Sequence, residues 1–136
     1  MTHRTIHIRG WRVDVFIEDG YHPDMVLDCL EDMDAPDSIV EKAQMMMYNG
    51  HPNQAFTYSN GRRTCIWIGK TTSPKEFVNS TIHEIRHLVD HIAEHYGLDN
   101  EEQVAYISGD AAFLLAEDIC EMGCPHCGKE KYGMQQ

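Results

Sequence analysis

The chain has 136 residues, of which 22 are acidic and 11 basic, giving a formal net charge of -11. That balance argues against a protein that grips a phosphate backbone, which needs clustered Lys and Arg, and no nucleic-acid partner is expected. The chain shows no apolar run approaching the ~18 residues of a membrane-spanning helix and its first residues do not read as a secretory leader, so the expectation is a soluble cytoplasmic protein with no membrane partner.

Residues 5–9 and 11–17 alternate apolar and polar side chains around Gly10, the period-two signature of two strands. Residues 23–33 and 37–48 carry apolar side chains at helical spacing, interrupted by Ala35-Pro36. Met45, Met46 and Met47 follow Ile39, Val40 and Ala43 on that helical period and are assigned to packing rather than to a pliable binding surface. Residues 53–59 and 63–69 are two further strands, joined at Ser59-Asn60-Gly61-Arg62, where Asn-Gly is a strong hairpin signal. Ser73-Pro74-Lys75-Glu76 then combines an N-cap hydroxyl, a proline at the first helical position and a glutamate placed to close a capping box. The helix it opens carries an apolar stripe of Val78, Ile82, Ile85, Val89, Ile92 and Tyr96, and Gly97 supplies a left-handed stop. A second helix opens after Leu98, with Asp99 as its expected N-cap. This order predicts an α+β domain over residues 1–119 with a small antiparallel or mixed sheet, followed by a Cys-rich tail over 120–136. A chain of this mass buries roughly two-thirds of its extended surface, sufficient for one core.

The long helix contains His83-Glu84-Ile85-Arg86-His87, an HExxH motif. Residues four apart on a helix share a face, so both imidazoles can take positions on one Zn²⁺, and Glu84 can take a proton from water on the metal. With nine histidines in the chain, the motif arises by accident roughly one time in twenty, so its setting has to support it. The setting is favourable, because both histidines flank the apolar stripe. His91 and His95 continue the four-residue ladder, but His91 lies ~12 Å along the axis from His83, too far to share a metal whose bonds are ~2 Å. They are assigned to the solvated face, His95 beside the carbonyl end of the helix.

A catalytic zinc needs a third protein ligand, and Glu102 is the leading carboxylate. Asp99 to Glu102 also has the spacing of a capping box, which requires no metal. If the two helices run strictly antiparallel, Asp110 lies nearer His87, and it and Glu101 stay in competition. Glu102 is favoured by a steep crossing or an early end to the first helix.

His83-Glu84-Ile85-Arg86-His87 followed by Glu102-Gln103-Val104-Ala105-Tyr106 resembles the gluzincin type of zincin metallopeptidase, whose second motif is a downstream glutamate on another helix. It is similar also to small single-domain HExxH proteins carried by phages and mobile elements. The resemblance covers residues 54–115. It implies His83, His87 and Glu102 as zinc ligands, Glu84 as general base, a zincin-like domain and a peptide or protein substrate paired along an edge strand. Thermolysin-like members place an aspartate where Tyr106 stands, and the metzincin pattern fails at Asp90 and Ala93. Tyr106 and Arg86 are candidates for a second oxyanion donor.

Of five cysteines, Cys29 and Cys65 lie far apart and make a poor disulfide framework. Cys120, Cys124 and Cys127 cluster near the end, and Cys124-Pro-His-Cys127 resembles one knuckle of a zinc ribbon. A second zinc held there with His126 or a partner chain is one reading, and a reduced tail of free thiols is the other. The leading expectation is a zinc metallopeptidase. The alternative is a non-enzymatic mobile-element interaction protein whose zinc is structural or vestigial.

Overall fold

The computed structural model describes residues 2–18 and 23–123. Four strands and five helices follow in the order β1 (Thr2–Ile8), β2 (Trp11–Ile17), α1 (Pro23–Asp32), α2 (Asp37–Tyr48), β3 (Ala55–Asn60), β4 (Arg63–Ile68), α3 (Pro74–Tyr96), α4 (Glu101–Leu114) and α5 (Ala116–Gly123). The architecture is α+β with one mixed sheet, and the chain divides into two compact units, Met1–Lys70 and Thr71–Gln136. Among the described residues, no helix is long and apolar enough to cross a membrane.

In the first unit, β1 and β2 form a hairpin in which Ile8 pairs with Trp11. Its two turn residues, Arg9 and Gly10, both have positive φ, 54° and 77°, the twist that suits a two-residue hairpin. In the β3–β4 hairpin Asn60 pairs with Arg63, so the tip is Gly61-Arg62 rather than Asn60-Gly61. Asn60 is held back in the strand, where its side-chain amide donates to the Met33 carbonyl at 2.8 Å. The two hairpins fuse into a sheet of order β1-β2-β4-β3 through a parallel β2–β4 pairing. A parallel pair needs a long crossover, and α1, α2 and β3 supply it. One face of this sheet presents Phe16, Cys65 and Trp67 to Val26, Cys29, Leu30 and Met33 around α1 and to Ala43 and Met47 of α2. Of the three consecutive methionines, Met47 is buried, Met46 packs at the margin and Met45 is exposed.

The second unit is built on α3. Its N-cap Ser73 accepts a hydrogen bond from the Glu76 amide at 3.2 Å, and Pro74 occupies the first turn. It ends at Gly97, with φ 66°, whose N–H bonds the Ala93 and Glu94 carbonyls while Leu98 also donates to Ala93. Only a left-handed residue closes a helix in this way. The buried face carries Phe77, Thr81, Glu84, Ile85, Leu88, Val89 and Ile92. It is rotated from the expected stripe, since Ile82 and Tyr96 are exposed and Glu84 turns inward. Helix α4 is capped by Asn100, not Asp99: the Asn100 side chain accepts from the amides of Glu102 and Gln103 at 2.9 and 3.2 Å. The expected Asp99–Glu102 capping box is therefore replaced. Helix α5 has no counterpart among the expected elements; it packs with α4 on α3, behind the buried Leu115.

Asp14 is a charged side chain in the face of the sheet, 1% exposed. One carboxylate oxygen accepts from His3 Nε2 at 3.0 Å and from Thr5 Oγ1 at 2.9 Å. The other faces Arg12 at 3.2 Å and Arg63 at 3.3 Å. Burial opposes ionisation, but the His3 and Thr5 hydrogen bonds and the Arg12 guanidinium outweigh it and hold the carboxyl below its ordinary value of 3.8. A depressed folded-state value means that the ionised group contributes stability above 3.8 and loses it as pH falls through the folded value. Asp14→Asn is expected to cost roughly 1–2 kcal/mol at neutral pH, because the His3, Thr5 and guanidinium donors lose a charged acceptor while Arg63 keeps Asp32 and Arg12 stays half exposed to water. Denaturant midpoints recorded across acid pH should show wild type converging on the variant; parallel curves would exclude this role.

Candidate metal centre

The helical rise and turn of α3 place His83 and His87 one above the other on a flank beside the buried face. Both rings are exposed, whereas Glu84, next to His83 in sequence, is 3% exposed. The two Nε2 atoms lie 3.1 Å apart, with ring centroids at 4.8 Å and planes crossing at 77°. Two nitrogens bonded at ~2.0–2.1 Å to one tetrahedral ion are themselves ~3.3 Å apart. The pair thus already has the separation of adjacent vertices around a zinc ion. Between neutral rings only one N–H can occupy that gap, so one nitrogen presents its lone pair toward the other. A Glu84 carboxylate oxygen completes a group whose ligand atoms all lie within 4.8 Å of one another, and this His/Glu/His cluster could hold a metal ion.

The other histidines of the ladder stay outside. His91 has its ring centroid 6.5 Å from that of His87 and is not in the cluster, as the axial rise requires. His95 meets Tyr96 edge-on at 4.9 Å in the last turn. Arg86 pairs with Asp90 at 3.0 Å with both side chains exposed, an i,i+4 contact that contributes little. Tyr106 is exposed on α4.

Glu102 is exposed in the first turn of α4, and it is not brought into the cluster; nor are Glu101 and Asp110. The reason is the length of α3. It continues to Tyr96, which at ~1.5 Å per residue is ~13 Å beyond His87. Helix α4 starts only after that point, so its first turn sits at the far end of α3 from the histidines. The early helix end that would favour Glu102 does not occur. With the capping role taken by Asn100, the Glu102 side chain is not committed to a capping box. Cys120 is an exposed free thiol on α5; Cys124, His126 and Cys127 lie outside the described residues.

Sequence reasoning located the two imidazoles but missed the inward turn of Glu84. The signal was present: Glu84 lies three and four residues from Thr81 and Leu88, both on the buried face.

Comparison of the chain with family models, curated proteins and solved structures gives no match.

Zinc analysis of dialysed protein should give an ion bound at the histidine pair. His87→Ala should weaken that binding at least ~100-fold, the upper end of what losing even an outer partner costs, whereas His91→Ala should leave it unchanged. Equal retention by both variants would remove the pair as a metal centre. A triple Cys120/Cys124/Cys127 to Ser variant reports in the same measurement whether a second ion belongs to the tail.

Proposed function

We propose that this protein is a zinc-dependent hydrolase of the HExxH type with a zincin-like, gluzincin-type site, acting as a metallopeptidase on a peptide or protein substrate. The observation that carries the reading is the 3.1 Å separation of the His83 and His87 Nε2 atoms with the Glu84 carboxylate turned in beside them. Two imidazole donors 3.1 Å apart with a carboxylate oxygen within 4.8 Å are of the types that suit zinc. Zinc bound there supplies a Lewis acid for the scissile carbonyl and lowers the pKa of coordinated water toward ~7.

The chain's own residues have divided tasks. His83 and His87 would hold the ion on the exposed flank of α3, where an extended substrate could reach it. Glu84, fixed by burial, takes the proton of the attacking water and passes it to the leaving amine. For the third ligand the family resemblance favours Glu102, with Glu101 and Asp110 as its alternatives; none of the three lies in the cluster. Tyr106 and Arg86 remain the two candidates for stabilising the oxyanion, and the exposed pairing of Arg86 with Asp90 is weak enough to yield to a substrate. The net charge of -11 keeps nucleic acid outside the proposal.

A second reading has one observation in its favour: the Glu84 oxygen lies inside the same 4.8 Å group as the two nitrogens. Were Glu84 itself a ligand, the ion would be structural and no base would remain, as in a non-enzymatic interaction protein. Glu84→Gln separates the two. As a peptidase, the variant should keep its zinc and lose turnover of an unfolded protein substrate by ~10²–10⁴-fold. Loss of zinc together with an inactive wild type would establish the structural reading. Zinc contents of Glu102→Ala and Asp110→Ala, measured alongside, assign the third position to whichever variant loses the ion.

A further inference from the structure

The first unit holds a second cluster of reactive side chains, away from the histidines in sequence and chemistry. Cys29 lies on α1 and Cys65 on β4, and both are free thiols. Cys65 stands directly across from Asp14 in the parallel β2–β4 register. The Cys29 Sγ lies 3.9 Å from Asp14 Oδ2, so the same carboxylate marks the position of both sulfurs. Cys29 and Cys65 belong to the same buried core cluster around Phe16 and Trp67; the neighbouring Cys65 thiol and Arg63 hold the Cys29 thiol below its ordinary value against burial and Asp14. The neighbouring Cys29 thiol and burial push the Cys65 thiol well up. Arg63 Nη2 is 3.7 Å from the Cys29 sulfur, and Arg63 Nη1 pairs with the exposed Asp32. A guanidinium therefore runs from the surface to a sulfur whose residue is 7% exposed.

We propose that Cys29 and Cys65 form a two-cysteine site that hydrogen peroxide, or another small hydroperoxide, oxidises to an internal disulfide joining α1 to β4, with Cys29 as the attacking sulfur. The Cys29 thiolate attacks one peroxide oxygen, the O–O bond breaks, and the departing hydroxide is protonated to water. Cys29 is left as a sulfenic acid. The Cys65 sulfur then gives up its proton and attacks the Cys29 sulfur. The S–O bond breaks, and its hydroxyl leaves as water with that proton. Two thiols and one peroxide become one disulfide and two waters, a two-electron oxidation of the sulfurs. A reducing compartment returns the pair to thiols, as expected of a transient, sensing disulfide.

The full-length protein is treated with hydrogen peroxide, its remaining thiols are blocked under denaturing conditions, and a non-reducing digest is mapped by mass spectrometry. The expected product is a Cys29–Cys65 crosslinked peptide, two hydrogens lighter than its components and cleaved by dithiothreitol. Arg63→Gln should slow its appearance roughly threefold or more, since the thiolate is the attacking form. Cys65→Ala should stop at a Cys29 sulfenic acid that dimedone labels. Recovery of Cys29 and Cys65 as blocked thiols while Cys120, Cys124 or Cys127 oxidises would overturn the proposal. So would irreversible oxidation of Cys29 in wild type without the crosslink. Because the decisive mapping is done on wild type, a poorly folding variant does not alter the outcome.

Discussion

Two side chains one helical turn apart can grip an ion only if the helix carrying them neither frays nor rolls. Helix α3 satisfies that constraint at three places. Ser73 and Pro74 fix its start, Gly97 fixes its end, and a continuous buried face from Phe77 to Ile92 fixes its rotation. Isolated helices are marginal in water, and tertiary packing supplies most of the stability of a helix in a protein. The 3.1 Å gap between the imidazole nitrogens thus rests on apolar contacts made on the other side of the helix. Ordering two side chains beforehand also removes an entropic cost that binding would otherwise carry.

The rotation of α3 has a chemical consequence at Glu84. Turning the helix so that Ile82 faces solvent brings Glu84 into the buried face while leaving both histidines accessible. A buried carboxylate thereby lies in the same group as two exposed imidazoles, a group that could hold a metal ion. The first unit handles buried charge differently. Asp14 receives donors from His3, Thr5, Arg12 and Arg63, and that saturation lets a carboxylate sit in the face of a sheet. Arg63 is shared between Asp14, Asp32 and Cys29, so the same guanidinium that balances the carboxylate also polarises a thiol.

The length of α3 sets what α4 can offer. A helix that ended soon after His87 would deliver the first turn of its successor to the histidines; one that runs on to Tyr96 carries that turn away. The Gly97 stop therefore bears on ligand choice as well as on helix termination.

Local features were legible in the chain itself. The capping pattern at Ser73, the glycine stop at Gly97, the hairpins about Gly10 and Gly61, and the facing of His83 with His87 all depend on interactions within a few residues, so spacing and residue type suffice to read them. What depends on distant segments was not legible. The N-cap passed from Asp99 to Asn100 because two residues with similar side chains competed for the same amides. The parallel union of β2 with β4, the meeting of Cys29 with Cys65 around Asp14, and the inward turn of Glu84 are set by packing between elements far apart in sequence. Residue spacing fixes which side chains share a helix face; only the packing of that helix decides which face is buried, and so which groups meet solvent, metal or one another.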